Sequence, residues 1–290
     1  MKRLCDLTVL CLLLGLPGEA AGQGQWEQPA LGDSASGNPE VLFTFDDGPH
    51  EGYTPIILDT LKRHGVQAIF FMAGWRISKQ STYLEARRAI ARRVLGDGHV
   101  IGNHTVNHAR LCTISKSRAE WEIDEGRRLL AELVGAAIPY FRTPYGSRCA
   151  RLEEMLAKRG IRHLHWDMDP REYLHHDSDA TRRYLVRKLS KLTGRAVILM
   201  HDTQVTTTRV LPFVLDWIAA ENVRRRAAGT PQIRILSYAD VAREQLAPGL
   251  EQAASSAMRA ISVQALGLMD RLLAPLVAHP PPRTSQVTAF

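Results

Sequence analysis

Five short clusters in this sequence carry side chains suited to hydrolytic chemistry. The first is Thr44-Phe45-Asp46-Asp47-Gly48-Pro49. Two adjacent carboxylates on an extended backbone point opposite ways and can hold different jobs, although Asp-Asp-Gly-Pro is also good turn chemistry on its own. The second is His104-Thr105-Val106-Asn107-His108. Histidines at i and i+4 share one face of a helical turn and can bind one metal ion, a pattern that chance also yields in a chain with 11 histidines. Asn103-His104-Thr105 spells a glycosylation sequon too, which is discounted because a glycan there would block the site. The third cluster is Arg142-Thr143-Pro144-Tyr145-Gly146. Its arginine can orient a carboxylate, and its turn can aim a backbone N–H at an oxyanion. His165-Trp166-Asp167-Met168-Asp169-Pro170 offers carboxylates and an aromatic wall, and Leu199-Met200-His201-Asp202 offers one imidazole.

Each cluster must be held by something, and the hydrophobic pattern says what. From Glu40 to about Glu244, short apolar runs alternate with amphipathic helical stretches. Strands are expected at Val41–Phe45, Ala68–Met72, His99–Gly102, Tyr140–Arg142, Ile161–Trp166, Ala196–Met200 and Ile233–Leu236. Helices are expected at Thr54–Arg63, Tyr83–Leu95, Arg118–Leu133, Arg151–Arg159, Ala180–Leu192, Leu211–Arg225 and Tyr238–Gln245. Short strands separated by helices imply parallel β/α units in one sheet or barrel. Gly65, Gly98, Gly160 and Gly194 fall between helix and strand, where C-cap glycines belong. The acid pair, the histidine pair, the Arg-Pro-Tyr-Gly turn, the Asp-Pro turn and the lone histidine all fall at the carboxyl ends of expected strands. In parallel α/β architectures that edge carries the active site.

Taken in order, Thr44–Pro49, His104–His108, Arg142–Gly146, Trp166–Asp169 and Leu199–His201 resemble the five motifs of the polysaccharide deacetylases, also called carbohydrate esterase family four or NodB-like. The resemblance covers residues 40–245. It implies an α/β fold, a distorted (β/α)7 barrel of TIM-like architecture, which agrees with the seven expected strands. It implies that Asp47, His104 and His108 bind a divalent metal, Zn2+ or alternatively Co2+. It implies that Asp46 is the general base, His201 the general acid, Arg142 the partner of Asp46, and the Tyr145 N–H an oxyanion donor. Trp166 would contact substrate, and a nearby Asp169 would favour the charged form of His201. The fourth motif departs from the family pattern: Glu172 and Tyr173 stand where the family often has Asp and Trp, which leaves their substrate-contact role open. The expected activity is removal of N-acetyl groups from an N-acetylglucosamine-containing polysaccharide. An O-acetyl esterase acting on xylan, and an inactive carbohydrate-binding protein of the same fold, are the alternatives.

The chain's ends and composition set the context. Lys2 and Arg3, an apolar run from Leu4 to Leu16 and the small residues Gly18–Gly22 describe a signal peptide over residues 1–21. The expected destination is periplasm, cell surface or medium, with no integral span after cleavage. A flexible lead-in follows at 22–39, then the catalytic domain at 40–246, a helical extension at 247–278 and a disordered tail at 279–290. The 290 residues are 45% hydrophobic, which excludes intrinsic disorder and collagen. The net charge of +7 lies in arginine-rich helical faces without interleaved aromatics, so nucleic acid is not an expected partner, and no protein partner is indicated. Of four cysteines, Cys5 and Cys11 leave with the signal peptide. Cys112 and Cys149 follow neighbouring strand ends, and in an oxidising compartment they are expected to form one bridge.

Overall fold

The alternation that makes the first strand a strand also aims its chemistry. In β1 (Glu40–Asp46), Val41, Phe43 and Phe45 belong to the large apolar cluster that the helices cover, whereas Leu42 packs in a second cluster with Ile69, Phe71 and Val197. Side chains of a strand alternate between its two faces, so Glu40, Leu42, Thr44 and Asp46 point to the barrel interior. The last strand of comparable length, β6 (Arg195–His201), obeys the same rule. Ala196, Ile198 and Met200 face the helices, which leaves Arg195, Val197, Leu199 and His201 inward.

A computed structural model describes residues 31, 37–79, 82–237 and 239–241. Between β1 and β6 the chain runs α1 (Tyr53–Arg63), β2 (Ile69–Met72), α2 (Leu84–Gly96), β3 (Val100–Asn103), α3 (Lys116–Val134), β4 (Tyr140–Phe141), α4 (Ala150–Lys158), β5 (Arg162–His163), α5 (Glu172–His175) and α6 (Ser178–Ser190). After β6 come α7 (Val205–Ala227) and β7 (Arg234–Ile235). All strand pairings are parallel, in the order β5-β4-β3-β2-β1-β6, and β7 pairs with Glu40 and Val41 below the point where β2 joins β1 at Thr44. Met168 bridges to Ile198, with the Leu199 N–H donating to the Met168 carbonyl at 2.9 Å, so the curled sheet closes from the chain beyond β5 onto β6. This is the expected α/β barrel, distorted.

The distortion has a local cause. The apolar run at Ile161–Trp166 predicts a longer fifth strand than the two residues observed. The carbonyls of Leu164 and His165, which a continuing ladder would use, instead accept from the buried Arg142 guanidinium. Gly65, Gly98 and Gly160 adopt the expected left-handed cap with φ of 63, 85 and 59°, whereas Gly194 does not. At the amino end of the barrel, buried Glu40 accepts from buried Arg195 at 2.5 Å and from the exposed Arg234 at 2.6 Å, an ion cluster that closes this end of the interior. The expected signal peptide over residues 1–21, most of the expected lead-in and of the last expected helix, and the expected extension and tail at 247–290 lie outside the described residues. No helix among the described residues is long and apolar enough to cross a membrane.

Cys112 and Cys149 are bridged, with Cα atoms 6.1 Å apart, tying the loop after β3 to the loop after β4. They are separated by 37 residues, a loop whose closure contributes about 3–4 kcal/mol in the chain-entropy description. The double variant Cys112→Ser/Cys149→Ser should unfold at a lower urea concentration by about that free energy. A midpoint equal to that of the unreduced wild type would contradict it.

Candidate active site

The site is built around a cation with no exposed surface. Arg142, at the exit of β4, is 0% accessible. Removing a guanidinium from water costs several kcal/mol unless its donors are used. Four of the five are used: Nη1 donates to Asp46 Oδ1 at 2.8 Å and Thr44 Oγ1 at 2.7 Å, Nε to the Leu164 carbonyl at 2.9 Å, and Nη2 to the His165 carbonyl at 3.0 Å. The Phe71 ring lies 4.2 Å from its centre. Asp46 therefore sits at the inner rim of β1 with one oxygen tied down from below.

Asp47 departs from the extended backbone expected of the acid pair. Its φ of 75° turns it back, so that a side chain which strand alternation would send toward the helices faces the same cleft as Asp46. Burial pushes the Asp47 carboxyl up, but His104 and His108 more than offset this and hold it well below the usual carboxylate range.

The histidine pair also meets differently from expectation. Residues 104–108 form an irregular loop rather than a helical turn, with left-handed φ at Thr105 (68°) and His108 (55°). The N–H groups of Val106 and Asn107 donate to Glu122 Oε2 at 2.9 and 2.8 Å, so a fully buried carboxylate from α3 replaces the helical ladder. Asn103, the sequon residue, is buried and holds the loop through the Thr105 N–H. The two imidazole rings end 5.0 Å apart, with His104 Nε2 and His108 Nε2 at 3.4 and 3.1 Å from Asp47 Oδ1.

That convergence carries chemical information. His104 Nδ1 lies 2.7 Å from the Arg142 carbonyl, which can only accept, so Nδ1 carries a proton and Nε2 is the nitrogen turned toward Asp47. Asp47 Oδ1 is buried and has no hydrogen bond of good geometry. Facing lone pairs are tolerated only with a proton or cation between them. Asp47, His104 and His108 offer ligand atoms all within 4.8 Å of one another, and one carboxylate with two imidazoles suits a zinc-like divalent ion. The residues fit such a metal.

Across the cleft stands His201. Its direct carboxylate partner is Glu172, whose Oε1 lies 3.0 Å from His201 Nδ1 and accepts the His201 backbone N–H at 2.7 Å. Asp169, expected to play this part, lines the cleft and accepts from the Arg171 N–H at 2.8 Å. The reason is helical: α5 begins at Glu172, carrying that side chain inward to 0% exposure and away from any substrate contact. Tyr173 packs edge-on against the imidazole at 4.6 Å. Burial opposes charge on His201, but Glu172, with Asp47 and Asp46, more than offsets it and raises the imidazole to about 9. Burial also pushes the adjacent Asp202 up to about 7, against a 2.6 Å hydrogen bond from Thr54. A Cβ on Gly48 would collide with that carboxylate, so glycine is required where the acid-pair loop crosses it.

Asp46, Asp47, His104, His108, Tyr145, Trp166, Asp169 and His201 line one cleft of about 560 Å³, with Arg142 beneath it. Tyr145 holds φ of 61° in a turn, and its ring meets His108 at 4.5 Å. The profile of the polysaccharide deacetylases matches residues 33–164. A chitooligosaccharide deacetylase of Sinorhizobium fredii is 32% identical over 170 residues, covering 58% of this chain and 74% of that one. The chain belongs to the polysaccharide deacetylase family. A peptidoglycan-N-acetylglucosamine deacetylase of Bacillus cereus is 32% identical over 164 residues, 57% of this chain and 56% of that one. The solved family 4 carbohydrate esterase of Streptomyces lividans, in complex with acetate, superposes with a TM-score of 0.56 at 28% identity, covering 63% of this chain and 90% of that one.

The deacetylase is thus a hydrolase, and its cleft, though not all of its supports, is legible in the sequence. Glu122 was missed because its only signal is a charged residue on an amphipathic helix. Glu172 was noticed as a departure from the family pattern, with nothing in sequence to show that it faces His201. Replacing Glu172 by Gln should lower the His201 titration from about 9 toward the ordinary histidine value near 6.5, read by NMR of the ring protons. Because folding raises this pKa, the stability it contributes is complete below about pH 6.5 and disappears as pH rises through about 9. The Gln variant should therefore lose stability at pH 6 and approach wild type above pH 9. An unmoved titration would contradict the pairing.

Proposed function

We propose that this protein is an exported, metal-dependent deacetylase that removes N-acetyl groups from an N-acetylglucosamine-containing polysaccharide. The observation that carries it is the convergence of His104 and His108 on Asp47, beside an Arg142-bound Asp46 and opposite a Glu172-bound His201. A divalent ion held by Asp47, His104 and His108 would supply Lewis-acid chemistry, polarising the acetyl carbonyl and acidifying water. Asp46, oriented by Arg142, takes the proton of the attacking water. The Tyr145 N–H, turned by its left-handed φ, donates to the developing oxyanion. His201 presents Nε2 to the cleft because Nδ1 is spent on Glu172, and it protonates the departing sugar nitrogen as the C–N bond breaks, leaving acetate and a free amine. Trp166 forms one wall of the sugar site, and Asp169 lies beside the leaving group.

The two relatives named for chitooligosaccharide and peptidoglycan N-acetylglucosamine support an amide as the scissile bond. The likeness to a carbohydrate esterase keeps O-acetyl xylan as the second reading, since an alkoxide leaving group needs the same residues. The signal-like residues 1–21 and the Cys112–Cys149 bridge both support export, because such bridges persist in oxidising compartments.

Acetate release from chitin oligomers, peptidoglycan and acetylxylan, assayed in parallel, tests the reading. Asp46→Asn should keep its metal and lose about 10²–10⁴-fold in kcat. His108→Ala should lose the metal by elemental analysis, and chelation should abolish wild-type turnover reversibly. Full turnover in excess chelator by protein free of metal, or no acetate from any of the three, would overturn it.

A further inference from the structure

The walls of the cleft carry two arginines that the chemistry above does not use. Arg110 follows the histidine loop, and Arg171 follows the Asp-Pro turn; both line the cleft and both are exposed. The carboxylates near them are already engaged: Asp46 by Arg142, Asp47 by the two histidines, and Asp169 by the backbone N–H of Arg171. Among the described residues neither guanidinium has a carboxylate partner, whereas Arg87, Arg118, Arg159 and Arg195 all do.

Arg110 is also held in place. Its guanidinium stacks 3.8 Å above the Tyr145 ring, which in turn meets His108 at 4.5 Å. Two residues on, Cys112 is bridged to Cys149, and Arg151 Nη2 clamps the carbonyls of Leu111 and Ile114 at 2.8 and 2.9 Å. Arg171 sits at φ of 57°, fixed between the Asp169 carboxylate and α5. The stacked Arg110 cation is thus presented at a set place, at little further cost in side-chain freedom on binding, whereas in Arg171 it is the backbone that is fixed.

Resting on the deacetylase reading, we infer that Arg110 and Arg171 form a cationic mouth that takes a carboxylate carried by the glycan beside the acetamido sugar. The substrate class is therefore an anionic N-acetylated polysaccharide, whose acid group is a lactyl ether on an amino sugar or a uronate in the repeat. Arginine matches a carboxylate with paired donors, and a charge-assisted bond of this kind discriminates at least about tenfold against a neutral group of the same shape.

The test compares each glycan with its own methyl ester, which removes the charge and keeps the sugar. One arm uses a peptidoglycan-derived oligomer with free lactyl carboxylates, the other a uronate–N-acetylglucosamine oligomer. Both kcat/KM for acetate release and Kd by calorimetry are measured. Wild type should prefer the free acid by about tenfold or more in one arm, and that arm names the source. The preference should shrink in 0.5 M salt and fall to about one in Arg110→Gln/Arg171→Gln, with Arg110→Lys restoring part of it. A wild-type ratio near one in both arms, or a ratio unchanged in the double variant, overturns the inference. If neither oligomer releases acetate, the activity reading fails while the Kd ratio still decides the role of the arginines.

Discussion

A buried guanidinium must find partners for its donors, and in this fold that demand organises the catalytic rim. Arg142 reaches β1 through Asp46 and Thr44, and it reaches the chain beyond β5 through two carbonyls. Its own backbone carbonyl accepts from His104 Nδ1, and its N–H donates to the Asn103 carbonyl. One residue thus orients the proposed base, fixes the tautomer of a proposed metal ligand and breaks the fifth strand. The fifth strand is short because those carbonyls serve the cation rather than a ladder.

The same economy of charge recurs around the barrel. At the amino end, Glu40 is shared between Arg195 and Arg234. At the carboxyl end, three polar groups are held by one behind them: Glu122 behind the histidine loop, Glu172 behind His201, Thr54 behind Asp202. In a low-dielectric interior such bonds are directional and unforgiving of loss, so they hold side chains at fixed angles while the large apolar cluster supplies cohesion. Among the described residues, left-handed backbone at non-glycine positions falls at Asp47, Thr105, His108, Tyr145 and Arg171, all on this rim, and at His176, which caps α5. Strain of this sort persists where surrounding contacts over-determine it.

The bridge and the aromatic stack at the cleft mouth carry this logic outward. The Cys112–Cys149 link, the Arg151 clamp and the Arg110–Tyr145–His108 stack join the loops after β3 and β4 into one unit. The turn that bears Tyr145 is therefore positioned by the same contacts that position the second histidine.

Much of this was legible in the chain itself. Alternation through Glu40–Asp46 and the continuous apolar run Ala196–Met200 identify the two long strands, and each run leads directly into a residue of the rim, Asp46 and His201. The clustering of acids, histidines and arginine after successive apolar runs identifies the rim, and the two cysteines after neighbouring strands identify the bridge. Contacts between residues distant in sequence follow no such pattern. That Glu172 rather than Asp169 meets His201 depends on where α5 starts. That Glu122 organises the histidine loop depends on how α3 lies across β3. The left-handed turn at Asp47, which reverses the direction expected of an extended acid pair, is imposed by what closes over it. Local pattern thus determines the strands, the rim and the residue types gathered there. Which carboxylate serves which base is decided only when the barrel closes, since burial and partner geometry, rather than spacing, set the energy of a buried charge.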